Sequence, residues 1–366
     1  MNPLRDHIRA LIEKNGPMPL GRYMELALQH PEYGYYRRGD PLGRKGDFVT
    51  SPEVSQMFGE LIGLACAEAW KGMGRPEAFM LLELGPGRGT LMADALRATA
   101  KVQGFHAAMK LHLLETNETL RMMQKEKLNG FSPVFINDIH EILVDSTSAA
   151  TEAMPTVIIA NEFFDALSVR QFEQTAEGWR ERMVTTDGEE MVFVLSAPDP
   201  SYHFFIPEEL RLAPAGTVHE ISLPAMSLMR HLAQHVVKAG GAMLMIDYGY
   251  AAPPHRGTVQ AVSGHRHADV LERPGEVDLT AHVDFTALRQ MAESQGAKVM
   301  GPIGQGEYLQ TLGIDMRAMQ LKHNAPPEQA VAVDAALKRL TNPAEMGILF
   351  KAMGVVGKGL DGVAGF

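Results

Sequence analysis

Apolar residues recur at helical spacing from the start of the chain: Leu4, Ile8, Leu11 and Ile12, then Leu20, Tyr23, Met24, Leu26 and Ala27. The spacing predicts two helices within residues 3 to 30, broken at Asn15-Gly-Pro17. Another helical stripe follows at Val54, Met57, Phe58, Leu61, Ile62 and Ala65. From Ala78 the texture changes. Phe79-Met-Leu-Leu-Glu-Leu84 is a short apolar run ending in glycines, and Leu91, Ala95 and Leu96 then return at helical spacing. That order predicts strand, tight turn, helix. It recurs with Leu111 to Glu115 before a helix near 117 to 127, Val134 to Ile136 before Asn137-Asp138, and Thr156 to Ala160 before Asn161-Glu162. Gly241 to Ile246 follows a helical stretch from Ala225 to Lys238. Such alternation predicts an α/β fold with a mostly parallel sheet covered on both faces.

Residues 168 to 222 break the rhythm. Val169 to Phe172, Trp179 to Val184 and Met191 to Leu195 are separated by Ala-Glu-Gly and Thr-Asp-Gly turns, the pattern of an antiparallel insertion. In Trp179-Arg-Glu-Arg182, strand alternation puts Trp179 and Glu181 on one face and the arginines on the other, a folding or partner-binding surface rather than a catalytic one. Beyond 311 the chain reads as helical, with Pro326-Pro-Glu and Thr341-Asn-Pro-Ala-Glu as start signals and a Gly-rich end expected to fray. The expected organisation is an N-terminal helical lid or cap (1–75), a core (76–167 and 224–310), the antiparallel insertion (168–223) and a helical C-terminal extension (311–366).

Composition narrows the function. The net charge of −10 has both signs interspersed and no Lys/Arg-rich run, which argues against nucleic acid. No apolar run approaches membrane-spanning length, and the N-terminus lacks the order of a signal peptide. The lone Cys66 lies in an apolar run and reads as a small buried hydrophobe. A soluble cytoplasmic protein is expected, with oligomeric state left open. His255, His265 and His267 contain a His-x-His spacing, but no Cys or carboxylate at familiar ligand spacing completes a metal site, and a solvated loop is the expectation.

The strongest chemical signal is Leu82-Glu-Leu-Gly-Pro-Gly-Arg-Gly-Thr90, with Glu83, Gly85, Pro86, Gly87 and Gly89 between a buried strand and a helix. Glycines permit the tight turn and let a ligand approach the backbone beside a helix N-terminus. A dinucleotide fingerprint wants Gly or Ala where Thr90 stands, and a P-loop wants a Lys-Ser/Thr pair after the glycines. The remaining pattern, acidic-x-G-x-G-x-G with Glu115 ending the next strand, is similar to the motif of S-adenosylmethionine-dependent methyltransferases with a Rossmann-like sheet. Glu115 would accept both ribose hydroxyls. Asp138 stands where such enzymes contact the adenine amino group, and it serves equally as a helix N-cap before Ile139-His-Glu. Asn161 and Glu162 end the strand that in this fold class faces the transferable methyl group.

Several long motifs make the resemblance specific. GDFVTSPEVSQMFGE, LLELGPGRGTLMADALR, ANEFFDALSVRQF, IDYGY, TVQAV and DLTAHVDF look, in this order, like the MidA-like family, over about Pro17 to Ile314. This family includes the mitochondrial complex I assembly factor that methylates a protein arginine. The resemblance implies a class I methyltransferase fold with added N-terminal, inserted and C-terminal parts, S-adenosyl-L-methionine as cofactor, and a protein arginine as acceptor. Alternatives from the same features are a non-catalytic assembly factor that keeps the cofactor fold, a small-molecule methyltransferase, and an oxidoreductase, which Thr90 disfavours.

Guanidinium stays charged at physiological pH and pairs best with a bidentate carboxylate, which nominates Glu162 as the clamp and Asp165 beside it. Holding two of its nitrogens would aim the third at the methyl group and later help remove a proton. The structural alternatives are that Glu162 binds a backbone amide and that Asp165 starts a helix. In Asp278-Leu-Thr-Ala-His-Val-Asp284, His282 is a candidate catalytic group, Asp284 another mouth residue, and Asp278 a possible helix cap.

Thr50-Ser-Pro-Glu53 carries two helix-start signals, a Thr50/Glu53 capping box and Ser51 with proline at the first helical position. Free backbone amides and the Thr50 and Ser51 hydroxyls would suit the methionine carboxylate of the cofactor. Thr50, Ser51 and Glu53 are therefore expected to close over the glycine loop, with a plain cap as the alternative.

Overall fold

The computed structural model describes residues 2–37, 50–142, 154–263, 266–323 and 325–366. The chain forms two compact units: the described parts of Met1–Phe48, Asp165–Ser227 and Tyr250–Asp284, and those of Val49–Phe164, Leu228–Gly249 and Phe285–Phe366.

The second unit is built on a sheet whose strands run in the order Lys298–Gly304, Phe350–Val356, Gly241–Tyr250, Thr156–Asn161, Phe79–Leu84, Met109–Leu114 and Val134–Ile136. The last five run parallel to one another, as their alternation with helices requires. The strand order reverses beside Phe79–Leu84, so the carboxyl ends of that strand and of Thr156–Asn161 flank the crevice where open α/β sheets bind ligands.

On one sheet face the helix Gln56–Gly72 buries Met57, Phe58, Leu61, Ile62 and Ala65, the stripe read from the sequence. Gly59 and Gly63 make its close approach to the helix Thr90–Thr99 possible. A Cβ on Gly63 would lie 2.5 Å from the Ala95 Cα, and one on Gly59 2.9 Å from the Leu91 carbonyl oxygen. Glu60 is buried in this helix and accepts from Arg317 Nε at 2.6 Å and Nη2 at 3.0 Å, and from Arg97 Nη1. Burial pushes its carboxyl up, but the two arginines win and hold it below the ordinary carboxylate value.

Three expectations are corrected here. The segment after Thr50 is not one helix: Ser51–Val54 ends at Ser55, whose extended backbone and side chain cap a new helix from Gln56 by accepting the Met57 amide at 3.2 Å. The C-terminal part is not all helical either. A helix does begin at the Pro326-Pro-Glu signal and runs Pro327–Thr341, but Asn342 terminates it, and Phe350–Val356 is a strand antiparallel to both neighbours. With Phe350, Ala352, Met353, Val355 and Val356 buried, the strand lacks the alternation that marks a half-exposed one, and short apolar runs do not separate strand from helix by period. The last residues do not fray: Val363 is buried and the Phe366 ring lies 4.9 Å from that of Tyr308.

The first unit joins the helices Pro3–Asn15 and Leu20–Gln29 to the antiparallel strands Arg170–Thr175, Gly178–Asp187, Glu190–Leu195 and Val218–Ile221. Their common core includes Leu4, Ile8, Leu20, Tyr23, Met24, Val169, Val184 and Leu279. The hairpins turn where the sequence put Gly-containing turns, closing at the Thr175–Gly178 and Asp187–Glu190 pairs. Buried Glu181 takes a bidentate contact from Arg170, at 2.7 and 2.6 Å, and the Arg170 guanidinium lies over the Phe172 and Phe205 rings. Among the described residues no helix is long and apolar enough to cross a membrane.

Candidate active site

The glycine loop leaves the Phe79–Leu84 strand with Gly85, Gly87 and Gly89 at φ +61°, +55° and +73°, the left-handed region that side chains disfavour. The Gly85 amide donates to the Leu114 carbonyl at 3.0 Å, and the Gly89 amide to that of Pro86 at 2.8 Å. A Cβ on Gly85 would meet the Phe163 ring at 2.7 Å. Thr90–Thr99 starts immediately after, so the open amides of its first turn sit beside the loop.

Two carboxylates flank this loop in different surroundings. Glu115 Oε1 accepts the Thr116 and Asn117 amides, both at 2.8 Å, and Oε2 accepts Gln124 Nε2 at 3.2 Å. Burial outweighs these donors and pushes its carboxyl up. Glu83 is 3 % exposed, and its Oε2 has no hydrogen-bond partner among the described residues. Burial, then the charge of Glu115, pushes Glu83 up to about 8.

Gln124 was not foreseen from the sequence. Fully buried on the helix Glu118–Lys127, it joins Glu115 to the glycine loop by also donating to the Gly87 carbonyl. Nothing in its local pattern marks it, since its partners lie on other elements.

Asp138 is exposed and forms the capping box that the sequence suggested for Thr50 and Glu53. Its Oδ1 accepts the His140 amide at 2.9 Å, while Glu141 Oε1 accepts the Asp138 amide at 3.0 Å. Thr50 makes no side-chain cap bond, and Glu53 Oε1 accepts the Thr90 hydroxyl, tying the helix Ser51–Val54 to the residue after the glycine loop.

An anionic group does sit at the start of that short helix, and it is the protein's own. Glu162 Oε1 accepts the Ser51 amide at 2.7 Å and Asn161 Nδ2 at 3.2 Å. Glu162 holds φ +49°, a conformation rare for a side-chain-bearing residue. The fully buried Ser51 hydroxyl donates to Gln305 Oε1 at 3.1 Å, and Gln305 Nε2 to the Leu340 carbonyl at 3.0 Å. Asp247, fully buried, shapes the turn after Glu162: its Oδ2 accepts the Phe163 and Phe164 amides at 3.2 and 2.9 Å. It stands in the IDYGY run, the one sequence signal that could have pointed to it. Gln305 had none.

Asp165 and His282 belong to the other unit. Asp165 is buried in a turn and starts no helix; its carbonyl accepts the Ala281 amide at 3.0 Å. Asp278 lies in the strand Asp278–Thr280, which corrects the helix-cap reading, and its carboxylate accepts the Tyr36 hydroxyl at 2.9 and 3.1 Å. The His282 amide donates to Thr258 Oγ1 at 2.9 Å, and burial lowers the ring's pKa, favouring the neutral imidazole. Of the three histidines in the metal reading, His265 lies outside the described residues.

The sheet unit thus offers a glycine cradle that Cβ atoms would fill, a carboxylate at the next strand end, and buried acceptor atoms, at Glu83 Oε2, Gln124 Oε1 and Asn161 Oδ1, that find no donor among the described residues. That set fits a ligand bearing cationic and hydroxyl groups, as S-adenosylmethionine does. A family model described as "Putative S-adenosyl-L-methionine-dependent methyltransferase" matches residues 61–303. The chain belongs to this methyltransferase family. The methyltransferase is 35 % identical to the Danio rerio "Protein arginine methyltransferase NDUFAF7, mitochondrial" over 96 % of this chain and 86 % of that one. It is 36 % identical to the Homo sapiens protein of the same name, over 96 % and 82 %. A crystal structure from Burkholderia thailandensis, bound to S-adenosyl-homocysteine, is 28 % identical with a TM-score of 0.84, covering 99 % of this chain and 93 % of that one. S-adenosyl-L-methionine is therefore the cofactor of the methyltransferase, and its fold is the class I methyltransferase fold with added parts.

Proposed function

We propose that this S-adenosylmethionine-dependent methyltransferase methylates an arginine side chain of a partner protein. The observation that carries this reading is the similarity, over nearly the whole chain, to relatives named protein arginine methyltransferases. The carboxylates at and after the end of the Thr156–Asn161 strand supply the chemistry such an acceptor needs.

When bound, the cofactor supplies an electrophilic methyl group on a sulfonium. Gly85, Pro86, Gly87 and Gly89 would hold it by backbone approach, Glu115 at the ribose hydroxyls, and Asp138 on the adenine side. Glu83, Asn161, Thr50, Ser51 and Glu53 would serve its methionine end. Glu162 would give up or share the Ser51 amide to pair with two guanidinium nitrogens, directing the third toward the methyl group. Of the other candidates read from the sequence, Asp165 has the chemistry of a guanidinium acceptor and neutral His282 that of a proton acceptor; both belong to the other unit. In this scheme residues 76–167 and 224–310 carry methyl transfer, and the added parts recognise the protein acceptor.

Transfer of labelled methyl groups into candidate proteins, followed by mass-spectrometric mapping, tests the proposal. Label on arginine is expected; label on lysine, or only on small molecules, overturns it. Following the family resemblance, a subunit of respiratory complex I is the first acceptor to try. The cytoplasm is the compartment expected from the sequence, whereas the relatives' names say mitochondrial; fractionation of cells expressing the tagged chain decides between them.

A further inference from the structure

Glu83 sits two residues before Gly85, on the strand that delivers the glycine loop. It is among the most buried carboxyls in the sheet unit, yet Oε2 finds no donor among the described residues. A leucine would fill similar space without burying an orphaned polar atom, so the carboxyl calls for a functional account.

The groups facing it settle where a proton resides. Glu115 has three donors, the Thr116 and Asn117 amides and Gln124 Nε2, which support a negative charge. Arg121 serves Glu115: its Nε donates to the Glu115 carbonyl at 2.8 Å, and its charge acts on the Glu115 carboxylate. From the helix Gln56–Gly72 the Cys66 thiol feels Glu83; burial and Glu83 push it up to about 12, so it stays neutral. Two buried carboxyls, one raised by the charge of the other, do not both ionise cheaply, and the one whose Oε2 finds no donor among the described residues keeps the proton.

We propose that Glu83 is protonated in the empty site and ionises when the cationic cofactor enters, so that methyl-donor binding releases one proton to solvent and places a carboxylate against the cofactor's positive charge. The O–H bond of the Glu83 carboxyl breaks, its electron pair stays on oxygen, and buffer takes the proton. The inference rests on S-adenosylmethionine being the ligand. The pKa of Glu83, raised to about 8, agrees with a neutral carboxyl near pH 7 in the empty site.

Calorimetric titration of the full chain with S-adenosylmethionine, in phosphate and in imidazole buffer at pH 7, counts the protons. Close to one released per cofactor bound is expected. Between pH 6 and 7, where an α-amino group stays mostly protonated, affinity should rise about tenfold. Glu83→Gln should bind more weakly at pH 7, release no proton and lose the pH dependence. A buffer-independent enthalpy for the wild type, or undiminished release in Glu83→Gln, would overturn the inference; the wild-type titration decides even if the variant does not fold. S-adenosylhomocysteine, which keeps the ammonium but lacks the sulfonium, separates the two cations. Release with both ligands supports the inference through the ammonium, and release with S-adenosylmethionine alone supports it through the sulfonium. No binding of S-adenosylmethionine at all would instead overturn the assignment of the ligand, and this inference with it.

Discussion

The carboxylate of Glu162 accepts the backbone N–H of Ser51 at 2.7 Å, across 111 residues of sequence. The bond couples the end of a central strand to the start of the short helix Ser51–Val54. It gives Glu162 two duties, anchoring that helix and, on the proposed mechanism, holding the acceptor guanidinium.

Glu162→Gln separates those duties. The amide oxygen still accepts the Ser51 N–H, so thermal stability should change by about 1 kcal/mol or less. Loss of the charge should lower kcat/KM for methyl transfer by about 100- to 10,000-fold. Glu162→Ala should cost about 1–3 kcal/mol more, because the Ser51 amide loses its partner. Near-normal turnover in Glu162→Gln, measured with labelled methyl donor, would leave the residue with the anchoring duty alone.

Gly85→Ala tests the cradle. At φ +61°, with the Phe163 ring 2.7 Å from the added Cβ, the substitution meets both backbone strain and a steric clash. The expected cost is about 1–3 kcal/mol in thermal denaturation, with cofactor binding lost in calorimetry. Wild-type affinity in a folded Gly85→Ala protein would show that ligand and loop backbone do not approach closely.

Thr50 and Ser51 are now distinguishable, which their adjacency in sequence did not allow. Ser51→Ala leaves Gln305 Oε1 without its donor in a fully buried position, so it should destabilise by about 1–3 kcal/mol. Thr50 makes no cap bond, so Thr50→Ala should change stability by about 0.5 kcal/mol or less. If the segment closes on the cofactor, Thr50→Ala should weaken binding about 5- to 10-fold, the worth of one hydrogen bond. An unchanged Kd reduces Thr50 to an inert helix start.

His235 predicts an acid limit on stability. Its Nε2 lies 2.9 Å from Thr156 Oγ1, its Nδ1 has no partner among the described residues, and burial, then Lys238, lowers its pKa to about 4. The unfolded chain takes up the proton near pH 6.5 and the folded one only near 4. The stabilisation is therefore whole above 6.5 and is lost progressively as pH falls toward 4, by about 2–3 kcal/mol. Urea denaturation at pH 7, 6 and 5 should show this decline, and His235→Gln should flatten it; parallel curves for both proteins would refute the assignment.

The strand, glycine turn and helix from Phe79 to Thr99, and the antiparallel hairpins after Val169, were legible in the sequence because each is dictated locally. Glycine is required where φ is positive, apolar residues where a strand is covered on both faces, and turn residues where a hairpin closes. Glu115 was legible for the same reason, as an acidic residue ending a strand. What remained hidden depends on elements distant in the chain. The antiparallel strand Phe350–Val356 reads as a plain apolar run until the strands it lies between are in place. Gln305 matters only because Ser51, 254 residues away, donates to it, and Gln124 only because it links Glu115 to the glycine loop. Thr50-Ser-Pro-Glu53 correctly announced a helix start, but only the tertiary structure decided that its first amide would meet Glu162 and that Glu53 would take the Thr90 hydroxyl instead of capping its own helix. Local propensity fixes where an element begins; which buried donor meets which acceptor is decided when the elements pack and unpaired polar groups become costly.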